Sequence, residues 1–118
     1  MKTLCILVCV AVACGQLHGA TLSGKASYYH DRYEGRMCAN NKTVFHQESY
    51  YAAHRTLPFG TRVKVTNLRN KKSVVVTIVD RGPSKKYKAR IIDLSKKAAR
   101  ELDMLTDGVV PVSVEVCK

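Results

Sequence analysis

The sequence contains no run of eighteen apolar residues, which excludes a helix able to span a bilayer. It is also short of acid: Asp and Glu number nine against 20 Lys and Arg, for a net charge of +11. So large an excess in so small a protein points to an anionic partner or an anionic working surface. There is no room for a second domain, because 118 residues hold one domain with one core. With 46% hydrophobic and 25% charged residues, the composition is that of a folded globular chain and excludes a disordered tail.

Cysteine is scarce beyond the opening stretch. Cys5, Cys9 and Cys14 lie within it, and only Cys38 and Cys117 lie past it. Met1-Lys2 followed by the apolar run from Leu4 to Cys14 has the charged start and short hydrophobic centre of a secretory signal. Residues 1–20 are read as a signal peptide and 21–118 as the working domain, exported to the periplasm, the envelope or the exterior. Small residues at Ala13 and Gly15 allow cleavage near Gln16. Val12-Ala13-Cys14 loosely resembles a lipoprotein signal, so a lipid anchor at Cys14 is the alternative to free export, and a buried N-terminal strand is a third. Losing Lys2 with this segment lowers the net charge by one, to about +10, so the basicity belongs to the working domain. In an oxidising compartment Cys38 and Cys117 remain as a candidate disulfide pair, the alternative being two unrelated buried residues.

The rest of the chain reads as short strands punctuated by turns. Ala26 to His30 is aromatic-rich and strand-like, and the polar stretch Asp31 to Gly35 follows as a loop. After the turn Leu57-Pro58-Phe59-Gly60, Val63 and Val65 alternate with Arg62, Lys64 and Thr66, a half-buried strand with a basic outer face. Ser73 to Val79 is apolar on both faces and reads as a central strand, ended by Asp80-Arg81-Gly82-Pro83. A basic loop then crowds Lys85, Lys86, Lys88 and Arg90 around Tyr87. Ser95 caps a helix expected to run to about Leu105, with Leu94, Ala98 and Leu102 on one face. Val110 to Val116 alternates in a last strand, with Pro111 marking an edge or rim. Ala52-Ala53 before Gly60 and Ala98-Ala99 before Gly108 echo each other, as in a small all-β barrel with internal twofold symmetry.

Five blocks in order carry a resemblance. Gly24-Lys25-Ala26-Ser27-Tyr28-Tyr29 with Gly35-Arg36, then Ala52-Ala53-His54-Arg55-Thr56-Leu57-Pro58-Phe59-Gly60-Thr61, Val65-Thr66-Asn67, Asp80-Arg81-Gly82-Pro83 and Ile92-Asp93-Leu94-Ser95 look like the rare lipoprotein A (RlpA) family. The resemblance covers about residues 24 to 116. It implies a six-stranded double-psi β-barrel with one or two short helices, the fold shared with expansins. It also implies lytic transglycosylase activity on peptidoglycan glycan strands, with a preference for strands stripped of their peptides. The family's usual C-terminal peptidoglycan-binding domain has no counterpart, so glycan affinity is expected from the barrel itself. An expansin-like protein that binds or loosens the wall without cutting is the rival class.

Cleaving a glycosidic bond needs a group that protonates the departing oxygen and another that stabilises charge at the sugar carbon, and carboxyls serve both ends. Asp93, flanked by Ile91, Ile92 and Leu94, is the expected acid because desolvation raises a carboxyl pKa. The alternative is a structural carboxylate at the helix start. Asp80, at the end of an apolar strand, is placed to project into a groove, the alternative being a turn residue or an ion pair with Arg81. His54 matches a histidine implicated in the family's site. Just upstream, active relatives carry Gly-Glu-x-Phe-Asp where this chain reads Asn40-Asn41-Lys42-Thr43-Val44-Phe45-His46. His46 stands in the aspartate's place, and Lys42 or Thr43 in the glutamate's, so that acid pair is not carried over.

Tyr29, His46, Arg81 and Tyr51 are the expected substrate contacts. At most one of each pair, Tyr28-Tyr29 and Tyr50-Tyr51, is expected on the glycan, because neighbours in a strand point to opposite faces. His30, His46 and His54 have no compact metal-ligand spacing, so neither metal nor cofactor is expected. The basic loop carries no recognition helix, so the expected partner of this monomer is cell-wall glycan and not nucleic acid.

Overall fold

The computed structural model describes residues 21–117; the expected signal segment and the candidate lipid-anchor position Cys14 lie outside the described residues. Six strands, β1 (Thr21–Tyr28), β2 (Tyr51–His54), β3 (Arg62–Asn67), β4 (Ser73–Asp80), β5 (Arg90–Leu94) and β6 (Val110–Val116), form one sheet. It closes in the order β1-β5-β2-β4-β3-β6, which leaves no unpaired edge. β1 with β5 and β2 with β4 pair in parallel, and the remaining neighbours are antiparallel. These two interlocked parallel crossings are the expected double-psi arrangement.

The alternation that marks β3 and β6 decides what lies inside. Val63 and Val65 meet Val110, Val112 and Val114 in the core, all fully buried, with Ile78, Ile92 and Leu94 from the other strands. Ala26 and Ala52 are also fully buried, and their small side chains leave room where the parallel strands cross. Helix α1 (Lys96–Glu101) packs Ala98 and Ala99 onto this core, joined by Leu102 and Met104. Ser95 caps it as expected, its Oγ accepting from the Ala98 amide at 3.3 Å and donating to the Ser49 carbonyl at 2.5 Å. The helix stops at Glu101, short of the expected Leu105, because Asp103 adopts a left-handed φ of 53°.

Three other readings change. β1 starts at Thr21 and ends at Tyr28; Tyr29 leaves the strand, and His30 Nδ1 caps a 3-10 turn (Asp31–Tyr33) by accepting from the Arg32 amide at 3.0 Å. Exchanging β1, β2 and β3 with β4, β5 and β6 reproduces the same ring of neighbours, so the twofold topology is present. The alanine echo does not carry it, however: Ala52-Ala53 lies in β2, whose counterpart is β5, whereas Ala98-Ala99 lies in α1. The Cys38–Cys117 disulfide is corrected as well. Cys38 is a buried free thiol packed with Tyr29, Phe45, Ala53 and Val79 in a satellite cluster. Cys117 instead extends β6 on the far arc of the ring, its amide donating to the Arg62 carbonyl at 2.9 Å.

Candidate active site

Ser27, Asp93, Ala53 and Asp80 are successive cross-strand partners on β1, β5, β2 and β4, and so form one row across four strands. Their neighbours Ala26, Ile92, Leu94 and Ala52 point into the core, which sends the row to the outside of the barrel. On β4 the register skips Val79, pairing Ala52 with Ile78 and Ala53 with Asp80. This bulge turns the Asp80 carboxylate onto the same face as Asp93. Ala53 between the two acids has only a methyl group, leaving the floor of a cleft.

That cleft has a volume of about 320 Å³ and is lined by both acids, Ser27, Tyr29, Tyr33, Arg81, the turn Gly82-Pro83 and Arg90. Gly82 is required here by its φ of +138°, a conformation in which a side chain is strained. A β-carbon at that position would stand 3.7 Å from Asp93 Oδ2, so the turn roofs the acid closely.

The two carboxyls are held differently. Asp93 Oδ1 accepts from the Ser27 hydroxyl. Burial pushes its pKa upward; the Ser27 bond and the Arg90 charge moderate the rise, and the Asp80 charge adds to it. Asp80 accepts at both oxygens, from the Tyr29 hydroxyl at 2.6 Å and from the Ala39 amide at 2.8 Å. Tyr29 is fixed in turn, its ring stacked on Phe45 at 4.1 Å and edge-on to Tyr33 at 5.5 Å. Its own pKa is driven upward by burial and then by the Asp80 bond, so it remains a hydroxyl donor. One acid in the cleft is shifted by burial toward its protonated form, and the other is held as an acceptor.

The remaining expected site residues are placed unevenly. Arg81 lines the cleft, but it donates to the carbonyls of His54 at 3.1 Å and Leu57 at 2.8 Å and stacks on Phe59 at 3.9 Å instead of pairing with Asp80. His54 is buried outside the cleft lining. Its Nδ1 accepts from the amides of Thr56 and Leu57, both at 3.1 Å, and burial, then Arg81 and Arg55, push its pKa down. It is a neutral imidazole that fixes the turn holding Arg81. Tyr51 packs against the satellite cluster, away from the cleft. His46 is on the surface, paired with Glu34 at 2.7 Å, and does not line the cleft either. Among the described residues no three His, Cys, Asp or Glu side chains converge as a metal site.

Sequence reasoning passed over three residues that shape the site. Tyr33, inside what read as a plain polar loop, walls the cleft and an adjoining hollow lined by Arg36, Met37 and Phe45. Ser27 holds Asp93. Arg55 spans to the carbonyls of Pro83, Ser84 and Tyr87 at 2.9 to 3.0 Å and pins the loop above the cleft. Ser27 and Arg55 each left a trace in the sequence, as parts of the Gly-Lys-Ala-Ser-Tyr-Tyr and Ala-Ala-His-Arg blocks; Tyr33 left none.

Comparison with known proteins shows the family and the fold. Residues 21–114 match the double-psi barrel family described as lytic transglycolase. The probable endolytic peptidoglycan transglycosylase RlpA of Aquifex aeolicus is 45% identical over 97 residues, covering 82% of this chain and 42% of that protein. Its namesake from Treponema pallidum is 54% identical over 92 residues, covering 77% of this chain and 28% of that protein. The chain thus spans less than half the length of these relatives. Among solved structures, the Streptomyces papain inhibitor superposes with a TM-score of 0.66 at 27% identity, over 85% of this chain and 96% of that one. A Clavibacter michiganensis expansin superposes at 0.59 and 20% identity, over 84% of this chain and 51% of that one, a likeness of fold alone. By its matched family, its relatives' identity and its barrel, the chain belongs to the RlpA-like family of double-psi β-barrel lytic transglycolases.

Proposed function

We propose that this chain works in the cell envelope as a peptidoglycan lytic transglycosylase, cutting glycan strands laid through the Asp80–Asp93 cleft. The observation that carries the reading is the acid pair: one carboxyl made more basic by burial, its neighbour held as an acceptor by Tyr29 and Ala39. Asp93 donates its proton to the glycosidic oxygen as the bond to the sugar carbon breaks. Asp80 stabilises the positive charge that develops there and takes the proton from the sugar's own C6 hydroxyl as that oxygen closes onto the carbon. The products are a strand with a new free hydroxyl end and a strand ending in an anhydro sugar, with no water consumed. Asp80 returns the proton to Asp93 through solvent.

The chain alone should convert peptide-free glycan strands into anhydro-ended fragments detectable by mass spectrometry. Intact strands, or fragments with ordinary reducing ends, would overturn the reading. A second reading, binding without cleavage, draws on one observation: His46 takes the place of the family's upstream aspartate, and the Glu34 carboxylate beside it is occupied by that imidazole and the Gln47 amide. Strand binding without products would establish it.

A further inference from the structure

The two oxygens of Asp93 have different surroundings. Asp93 on β5 stands opposite Ser27 on β1, and the Ser27 hydroxyl is hydrogen-bonded to Oδ1. Oδ2 lies under the β4–β5 turn, where a β-carbon built on Gly82 would stand 3.7 Å from it. All three residues line the cleft. Among the described residues, no hydrogen bond reaches Oδ2.

Counting donors and acceptors decides which oxygen carries the proton of the neutral acid. Ser27 is only 7% exposed, and among the described residues its hydroxyl has no other acceptor. A proton on Oδ1 would have to be donated to the serine oxygen, and the serine's own hydrogen would then be buried without a partner, a costly arrangement. A proton on Oδ2 leaves Ser27 donating to Oδ1, so every group keeps its bond. The charged and titratable groups that face Asp93 are Arg90 on its own strand, Asp80 on β4, Arg55 just past β2 and Tyr29 just past β1. None of them is hydrogen-bonded to it, which makes Ser27 the neighbour that addresses a single oxygen.

We propose that Ser27 is a positioning residue for proton delivery: by occupying Oδ1 it leaves Oδ2, beneath the bare turn at Gly82, as the oxygen that carries the proton and passes it to the departing glycosidic oxygen. The proposal rests on the reading of Asp93 as the acid and adds which oxygen acts and from which side the linkage is reached. The departing oxygen must come within hydrogen-bond reach of Oδ2, in the space that the missing side chain at position 82 leaves free. As the bond from the sugar carbon to that oxygen breaks, its electron pair stays on the oxygen, which takes the proton. Oδ2 keeps the electrons of its own O–H bond, and Ser27 already donates to the carboxylate so formed. Ser27 thus orients the acid before transfer and holds its charge afterwards.

The test compares the full chain with its Ser27→Ala and Ser27→Thr variants, each carrying aspartate labelled with carbon-13 at Cγ. The Asp93 resonance is identified by its disappearance in Asp93→Asn. Burial raises the Asp93 pKa and the Ser27 bond restrains the rise, so Ser27→Ala should move the Asp93 titration upward by about one pH unit. Ser27→Thr, which keeps a hydroxyl, should titrate as the native chain does. Digestion of peptide-free strands is then followed against pH. In Ser27→Ala the alkaline limb of kcat should move up with the carboxyl titration, while the plateau at lower pH falls about three- to tenfold because the proton is no longer directed to Oδ2. A purely structural serine would lower stability and leave both titration and limb in place, which overturns the proposal. A Ser27→Thr protein that titrates like Ser27→Ala overturns it, as does a limb that stays put while the carboxyl midpoint moves. Absence of anhydro-ended products at every pH would remove the cleavage reading and the delivery role with it, whereas the titration would still read the hold of Ser27 on Oδ1, so the two failures are distinguishable.

Discussion

Replacing Asp93 by Asn separates chemistry from stability, and the two should move in opposite directions. The amide has nearly the volume of the carboxyl, and its Oδ1 can still accept from Ser27, so the cleft and its glycan affinity are retained. What is lost is the proton delivered to the departing oxygen. A positioned general acid is worth about 10²- to 10⁴-fold in rate, or about 3 to 5 kcal/mol of barrier, and the loss should fall on kcat with KM little changed. Stability should rise at neutral pH. The folded-state pKa of Asp93 is raised by burial, so the folded protein favours the protonated form, whose stabilisation is complete below the ordinary carboxylate range and disappears as pH climbs through the raised value. Asn bears no such penalty. Its advantage should therefore be absent below about pH 4, grow above it and level off past the folded-state pKa, gaining about 1.4 kcal/mol for each pH unit that separates the unfolded and folded pKa values. Urea unfolding of both proteins from pH 3.5 to 8, beside mass spectrometry of the strand products, reads both effects. A flat stability difference across that range, or product formation within threefold of the unsubstituted chain, would refute the assignment of Asp93 as the buried acid.

Three further outcomes follow from the contacts around the cleft. Tyr29→Phe keeps the stack on Phe45 but removes the 2.6 Å bond to Asp80, and should cost about 1–2 kcal/mol by urea unfolding together with at least tenfold in cleavage. An unchanged stability and rate would make that bond dispensable. Arg55→Ala frees three carbonyls of the basic loop, so native-state trypsin cleavage at Lys85, Lys86 and Lys88 should accelerate about five- to thirtyfold while far-UV circular dichroism stays the same. Cys38, its thiol pushed up to about 11 by burial and then by the Asp80 charge, should resist iodoacetamide at pH 8 in the folded protein and react on unfolding. Rapid alkylation of the folded protein would place it outside the satellite cluster.

The parts legible in the sequence are those with a period. β3 and β6 announce themselves because Val alternates with polar residues, and their interior faces are the ones buried. The Ser95 cap is legible because capping is local. β2 is not: four residues, two of them alanine, have little strand preference, and Tyr51–His54 is a strand because β4 and β5 flank it. The acids are visible as motif residues, yet their convergence depends on that unread strand, since Ala53 is the rung between them. Ser27, Tyr33 and Arg55 act across long separations, which no local pattern records. Counting cysteines fails at Cys38 for a related reason. In a packed cluster a lone thiol behaves as a small apolar side chain, and its number in the sequence says nothing of what lies beside it.

The barrel's exchange symmetry explains why the connections, more than the strands, set the character of the site. Each parallel crossing contributes one carboxylate, Asp93 opposite Ser27 and Asp80 opposite Ala53. The two connections that close over the row are unequal. Residues 29–50 carry their own apolar cluster and present Tyr33 and Met37 beside the cleft, whereas residues 81–89 are strongly basic and lead into a groove lined by Lys25, Lys88 and Arg90. The cleft is therefore flanked by an aromatic wall on its Tyr33 side and by cations on its Arg90 side. On the reading proposed above, that polarity would give a glycan strand in the cleft a direction. The asymmetry around the cleft thus resides in the loops, while the acid pair at its centre is held at a bulge and a crossing that the barrel itself supplies.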